Sequence, residues 1–111
     1  MERRVGLRGR TDFPVLATNG YLAQACRGVE VSSSGILLDR GRLIDERRDE
    51  PLFLRLSIQL PERVRPLTAL ARPVWSFGTQ QALRFVTMTD VDRLTLAEHI
   101  DLVHRRGVSL N

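Results

Sequence analysis

Two arginines near the start of the chain, Arg4 and Arg8, are separated by three residues. They lie in the densest basic stretch of the sequence, in which four of the eight residues from 3 to 10 are arginines. An arginine side chain is a planar fork of donors that binds phosphate and carboxylate groups through paired hydrogen bonds. We therefore expect residues 1–12 to form a flexible arm that attracts an anionic partner. Composition alone leaves open a nucleotide, a nucleic acid, an acidic membrane surface or an acidic protein.

A second set of polar residues, Glu30, Ser32 and Gly35, follows within the run Glu-Val-Ser-Ser-Ser-Gly. A carboxylate accepts hydrogen bonds, a hydroxyl both donates and accepts, and a glycine lets a ligand approach the backbone closely. The serines and the glycine are equally typical of a turn, in which hydroxyls bond the local backbone and glycine tolerates positive φ. For Glu30 the structural alternative is a surface ion pair with Arg8 or Arg27.

Other residues that could do chemistry lack the spacing that a catalytic or metal site needs. The single cysteine, Cys26, forms no internal disulfide, and His99 and His104 are five residues apart, so they do not share a helix face as i, i+4 pairs do. Asp90 and Asp92 stand at the start of the predicted helix, where capping is their expected role. We therefore predict a protein that is not an enzyme and holds neither a metal nor a cofactor.

The chain has 111 residues and a net charge of +4, with 42% hydrophobic and 27% charged residues. This composition excludes collagen, disulfide-scaffold and wholly disordered classes and favours one globular domain. No apolar run approaches the roughly 20 residues that span a bilayer, and no apolar signal core follows the first residues. We expect a cytoplasmic protein without membrane insertion.

Alternation of apolar and polar residues predicts strands over most of the chain. Residues 52–60 give the clearest pattern, with a leucine or isoleucine at every even position, and residues 39–51 are expected to be an exposed loop. In the second strand, Val29 and Val31 are expected on one face and Glu30 and Ser32 on the other. A hairpin turn is expected at residues 78–81. The predicted strands are residues 13–19, 21–32, 36–38, 52–60, 67–77 and 83–88.

Only the last part of the chain shows a helical pattern, over residues from about 89 to 106. We expect the helix to end there because two arginines precede Gly107, which is typical of a helix C-terminus. Thr89 and Asp90 are its N-cap candidates, and Leu94, Ala97 and Ile100 are predicted to be its buried stripe. Short strands followed by one helix predict a small antiparallel barrel over residues 13–111, because closure removes the exposed edges of a sheet.

The two polar patterns together resemble the PilZ domain family, whose marks are R-x-x-x-R near the amino terminus and [D/N]-x-S-x-x-G at a strand end. The resemblance extends along nearly the whole chain. It includes Pro14-Val15, residues 36–38, Val74-Trp75, Phe85 and the closing helix. The fold that it implies is a six-stranded antiparallel β-barrel plus a C-terminal α-helix.

The function that the resemblance implies is a non-enzymatic receptor for cyclic di-GMP, which relays the signal to a downstream effector protein. Family members hold the ligand, often as an intercalated dimer, with residues that match Arg4, Arg8, Glu30, Ser32 and Gly35. Arginine forks suit the two phosphates and the O6/N7 edges of the guanines. A carboxylate at Glu30 suits the guanine N1 and N2 donors.

Two other functions remain open. Glu30 is one methylene longer than the family's aspartate or asparagine, so the chain could be a degenerate PilZ-like adaptor that binds no nucleotide and acts by protein contact in motility, pilus or polarity control. A small barrel that binds single-stranded nucleic acid is the third alternative, but a row of stacking aromatics is missing, so nucleic acid is not expected. Trp75 is interpreted as a core or barrel-rim residue, and Ala82 stands where the family often has glycine.

Overall fold

A computed structural model of the protein describes residues 12–20, 22–44, 53–61 and 63–109. Within these residues, six antiparallel strands close into a barrel in the order β1-β2-β3-β6-β5-β4, and one helix follows. The predicted fold class is therefore confirmed. The elements are β1 (Phe13–Thr18), β2 (Ala23–Val31), β3 (Gly35–Asp39), β4 (Leu54–Ile58), β5 (Leu67–Phe77), β6 (Gln80–Met88) and α1 (Asp90–Ser109).

The barrel interior is a filled hydrophobic core made by the inward row of each strand. In β4, Leu54, Leu56 and Ile58 point inward and are buried, while Arg55 points outward and is exposed. This is the alternation that the sequence predicts for residues 52–60. Because aliphatic side chains fill the interior, polar side chains that could bind a ligand lie mainly on the outer face of the wall.

Three β-bulges interrupt the alternation in the described strands, and the extra residue is a valine each time: Val29 in β2, Val74 in β5 and Val86 in β6. A bulge reverses which residues of a strand face inward. The prediction that Val29 and Val31 share one face and Glu30 and Ser32 the other agrees with the burial pattern, since both valines are partly buried and Glu30 and Ser32 are exposed.

The helix begins where the sequence predicts. The Asp92 amide donates to the Thr89 hydroxyl oxygen at 3.2 Å, so Thr89 is the N-cap. Asp92 itself accepts a hydrogen bond from the backbone N–H of Thr68 on β5 at 3.2 Å, which ties the first turn of α1 to the barrel. The helix extends to Ser109 and does not end before Gly107, because a glycine weakens a helix by only about 1 kcal/mol and leaves its backbone bonds intact.

The predicted buried stripe of α1 is wrong at two of its three positions. Leu94 and Ala97 are exposed, and Leu96 is buried with Ile100 packed against the core. Residues three apart are displaced by about 60° around a helix at each step, so a strict three-residue spacing leaves the buried face. Among the described residues, no helix has both the length and the hydrophobicity that a membrane crossing requires.

The barrel end that is remote from α1 contains a buried arginine that was predicted to lie in an exposed loop. The Arg40 guanidinium is buried and donates to the side-chain carbonyl oxygens of Gln24 and Gln81. These amides satisfy its donors, which explains how a charged side chain remains inside. The adjacent hairpin turn is Gly78-Thr79, with Gly78 at a φ of 63°, so β6 begins at Gln80, three residues earlier than predicted.

Candidate functional site

The turn from β2 to β3 is organised by the Ser32 side chain. Its hydroxyl oxygen accepts the amide of Gly35 at 3.2 Å and that of Ser34 at 3.3 Å, and the Ser32 amide donates to the Gly35 carbonyl at 2.9 Å. The turn function that the sequence offers for Ser32 is therefore present. The side chain is also exposed, so the same bonds hold its hydroxyl at the surface.

Gly35 is required by a close approach between strands and not by a left-handed backbone. A Cβ at this position would lie 2.4 Å from the Leu83 carbonyl oxygen on β6, which is shorter than any ordinary contact. Among the described residues, the glycines with positive φ are Gly20, Gly41 and Gly78, so the positive φ that the turn pattern predicts at Gly35 is wrong. A Gly35→Ala variant would separate β3 from β6 and would not report on ligand contact alone.

The outer face of the wall carries a row of four side chains across four strands. The strand register pairs Glu30 with Leu37, Leu37 with Ala82, and Ala82 with Trp75. These four residues, together with Ser32 and Gly35, line a groove of about 260 Å³ that we call the outer groove. All three described residues of the second polar pattern are thus brought together in one concave surface.

The core position that the sequence analysis allows for Trp75 is wrong. Its side chain is 50% exposed and lines the outer groove, because the bulge at Val74 turns the following residue outward. Across the ladder, the small Ala82 side chain leaves space beside the indole. The sequence contained one signal for this bulge: Pro73, since proline within a sheet is confined to edges and bulges.

Glu30 lies at the junction of two grooves. Besides the outer groove it lines a second groove of about 280 Å³ between the barrel and α1, whose other residues include Phe13, His99 and His104. The ion pair with Arg27 that was considered for Glu30 is not formed, because the Arg27 guanidinium pairs with Asp39 at 2.9 Å and with Asp12 at 3.4 Å. The Glu30 carboxylate is exposed at the groove surface.

Among the described residues, Cys26 and Asp39 have shifted pKa values. The backbone N–H of Gly41 lowers the pKa of Asp39, with further contributions from the Thr79 hydroxyl and Arg27. Burial raises the pKa of the Cys26 thiol, and the nearby Arg40 offsets this only in part. Cys26 is half-buried, so the thiol stays protonated at neutral pH and is a poor nucleophile. Across the described ranges, no three His, Cys, Asp or Glu side chains converge as metal ligands.

The two arginines of the first pattern, Arg4 and Arg8, and most of the predicted arm lie outside the described residues. The described chain starts at Asp12, and Phe13 pairs with Gly28 on β2. The Phe13 ring occupies the space above Gly28, where a Cβ would lie only 2.1 Å from it. The first strand therefore begins beside the part of β2 that leads to Glu30.

A scan against protein-family models finds no match to this chain, and a search of curated proteins finds no relative. The chemistry of the outer groove must therefore be inferred from its own side chains. Its polar side chains are one carboxylate and one hydroxyl, its aromatic side chain is one exposed indole, and its other lining residues are Gly35 and aliphatic residues.

Proposed function

We propose that this protein is a PilZ-type receptor that binds cyclic di-GMP in the outer groove and relays the signal to an effector protein without catalysing a reaction. One observation carries the proposal. Glu30, Ser32 and Gly35 stand at the positions of the family's second motif, with glutamate in place of its aspartate or asparagine, and they line a single groove with an exposed tryptophan. A guanine nucleotide needs acceptors for its base, a flat apolar surface and donors for its phosphates. The groove offers the Glu30 carboxylate, the Trp75 indole and one hydroxyl donor at Ser32.

Each groove side chain has a distinct role in the proposed complex. The Trp75 indole provides a face on which a guanine stacks, an interaction that is worth about 1–3 kcal/mol per base. The Glu30 carboxylate accepts from guanine N1 and N2, and the Ser32 hydroxyl donates to a base or phosphate oxygen. The turn bonds of Ser32 hold this hydroxyl in place before the ligand arrives, which lowers the entropy cost of binding.

The phosphates of the ligand are assigned to Arg4 and Arg8. Arg8 precedes Phe13 by five residues, and five extended residues reach roughly 17 Å. That reach is compatible with contact at the outer groove, because β1 starts next to the strand that carries Glu30. Holding any chain segment against a ligand costs conformational entropy, so the proposed complex needs several contacts that form together.

Titration calorimetry with cyclic di-GMP, GTP and cyclic di-AMP tests the proposal. We expect saturable heat with cyclic di-GMP at concentrations up to roughly 100 μM, where even a weak specific site fills. Cyclic di-AMP should bind far more weakly, because adenine lacks the N1 and N2 donors that Glu30 would accept. A folded protein that gives no heat with cyclic di-GMP would refute the proposal.

The arginine assignment is tested with Arg8→Ala. Loss of a charge-assisted contact should weaken cyclic di-GMP binding by about 1.5–3 kcal/mol, which is roughly 10- to 150-fold. Arg10→Ala is the matched control, because it removes the same charge from the same stretch but lies outside the motif. Equal effects of the two substitutions would mean that only the summed charge matters.

The adaptor function remains the second candidate, and the outer face of α1 favours it. Val91, Leu94 and Leu102 are apolar and exposed there, as a protein-contact surface requires. Glu30→Asp separates the two candidates. The receptor proposal predicts that wild type binds cyclic di-GMP and that the shorter carboxylate binds at least as tightly, whereas an adaptor predicts that wild type does not bind it. If only Glu30→Asp binds, the length of the Glu30 side chain is the cause of the loss, and if neither protein binds, the adaptor function is favoured.

A further inference from the structure

Two arginines face each other on the outer wall beside the outer groove. Arg72 on β5 is the cross-strand partner of Arg84 on β6, and Arg84 is in turn the partner of Gly35 on β3. Both arginine side chains are exposed. Like charges placed directly opposite each other destabilise a sheet, so this pair is a cost to the fold.

No acidic side chain offsets this cost within the part of the chain that the structure describes. The ion pairs found there involve Arg27, Arg63 and Arg105, and no described carboxylate lies within 4.0 Å of Arg72 or Arg84. Elsewhere on the same barrel the arrangement differs, since Arg27 on β2 contacts two carboxylates. The Arg72–Arg84 pair therefore concentrates positive charge at one place on the wall.

The pair is continuous with the outer groove. Gly35 and Leu83, which line that groove, are respectively the cross-strand partner and the chain neighbour of Arg84. Bulges lie on both sides of the pair, with Val86 as the extra residue on β6 and Val74 on β5. Bulges beside binding sites change the direction in which side chains point, and here one bulge lies on each side of the arginine pair.

We propose that Arg72 and Arg84 form an anion subsite that binds a phosphate group of the nucleotide in the outer groove. Two guanidinium forks on neighbouring strands present paired donors to one phosphate, and each phosphate oxygen accepts several hydrogen bonds. An anion bound between the two guanidinium groups also offsets the electrostatic repulsion between them. The identity of the bound nucleotide rests on the proposed function. The existence of an anion subsite at Arg72 and Arg84 does not depend on it.

The subsite is tested first without the nucleotide, with pyrophosphate as the probe at low ionic strength. We expect the side-chain Nε–Hε signals of Arg72 and Arg84 to shift saturably in NMR spectra of the full chain. Arg65 is the internal control, because it is exposed in the loop between β4 and β5 and lies seven residues before Arg72. Shifts at Arg72 and Arg84 that do not exceed those at Arg65 would overturn the proposal.

The second test measures cyclic di-GMP affinity in Arg72→Gln, Arg84→Gln and the control Arg65→Gln. We expect each of the first two to weaken binding about tenfold, the loss of one charge-assisted contact, while the control binds as wild type. Unchanged affinity in both variants would overturn the proposal. Their folding is checked by thermal melts, where removal of the repulsion should raise the melting temperature slightly at low salt.

The two tests separate the possible failures. If wild type does not bind cyclic di-GMP but Arg72 and Arg84 respond to pyrophosphate, the proposed function fails and the anion subsite stands. If cyclic di-GMP binds with equal affinity to wild type and both glutamine variants, the receptor function stands and the subsite fails.

Discussion

Ser32 has two uses for one hydroxyl group. Its oxygen accepts the amides of Ser34 and Gly35 in the turn, and the same group lines the outer groove. A substitution at Ser32 would disturb both the turn and any ligand contact, and Gly35 has the same difficulty because β6 approaches it closely. Trp75 is the better probe of binding, since its side chain is half exposed and its removal leaves the core intact.

Trp75→Ala should weaken cyclic di-GMP binding by about 1–3 kcal/mol, which is roughly 5- to 150-fold, because the stacking surface for a guanine is lost. Phe77→Ala is the matched control. Phe77 is an aromatic residue of the same strand, 82% exposed, but it does not line the outer groove. Calorimetry compares the two variants, and equal losses of affinity would contradict a stacking role for Trp75.

Asp39 gives a prediction about pH. Its folded pKa is lowered first by the Gly41 amide, so it lies below the ordinary aspartate pKa of about 3.9. The stabilisation that this carboxylate contributes is therefore fully present above the unfolded pKa and is lost as pH falls through the folded pKa. Because the side chain is near the surface, the stabilisation is expected to be below about 1 kcal/mol.

An NMR titration of the Asp39 carboxyl carbon checks this directly. The carboxyl should titrate below the ordinary aspartate range. In Arg27→Gln the pKa should rise only in part, since the bond from the Gly41 amide remains. A return to the ordinary value in that variant would show that Arg27, and not the backbone amide, is the main cause.

At the scale of elements, bulges decide which side chains reach the outer groove. The alternation of β4 could be read from the sequence because its apolar row is unbroken, and the bounds of β5 were predicted correctly. The bulges could not be read in the same way, because their extra residues are valines, which are common in regular strands. For the outward position of Trp75 the sequence offers only the indirect signal of Pro73, because proline within a sheet is confined to edges and bulges.

The helix illustrates a different limit. The start of α1 could be predicted because threonine is a preferred N-cap residue, as at Thr89. Its buried face could not, because apolar residues lie on more than one side of the helix. Only contact with the barrel selects the side that carries Leu96 and Ile100. Sequence periodicity alone could not choose between the two faces.

Leu96→Ala should destabilise the protein by about 2–5 kcal/mol, because the leucine is only 2% exposed and its removal leaves a cavity beneath α1. Leu94→Ala is the matched control, since this leucine is on the same helix and 63% exposed, and its expected effect is within about 0.5 kcal/mol. Urea denaturation measures both values. Equal destabilisation by the two substitutions would contradict the helix orientation described above.

At the scale of the whole molecule, the core and the candidate sites are separated. Aliphatic residues fill the barrel, and the polar groups that could recognise a nucleotide lie on the outer face of β2, β3, β5 and β6. The fold class could be predicted from alternating strands and a terminal helix. The path of the groove could not, because it depends on the register of non-consecutive strands such as β3 and β6.

The most direct measurement is a map of the cyclic di-GMP contact surface, made from amide and indole NMR signals of the full chain during titration with the nucleotide. The receptor proposal predicts saturable shifts at Glu30, Ser32, Gly35 and the Trp75 indole, with little change at Leu54–Ile58 in the remote wall. Absence of shifts at roughly 100 μM nucleotide, or shifts centred on that remote wall, would contradict it.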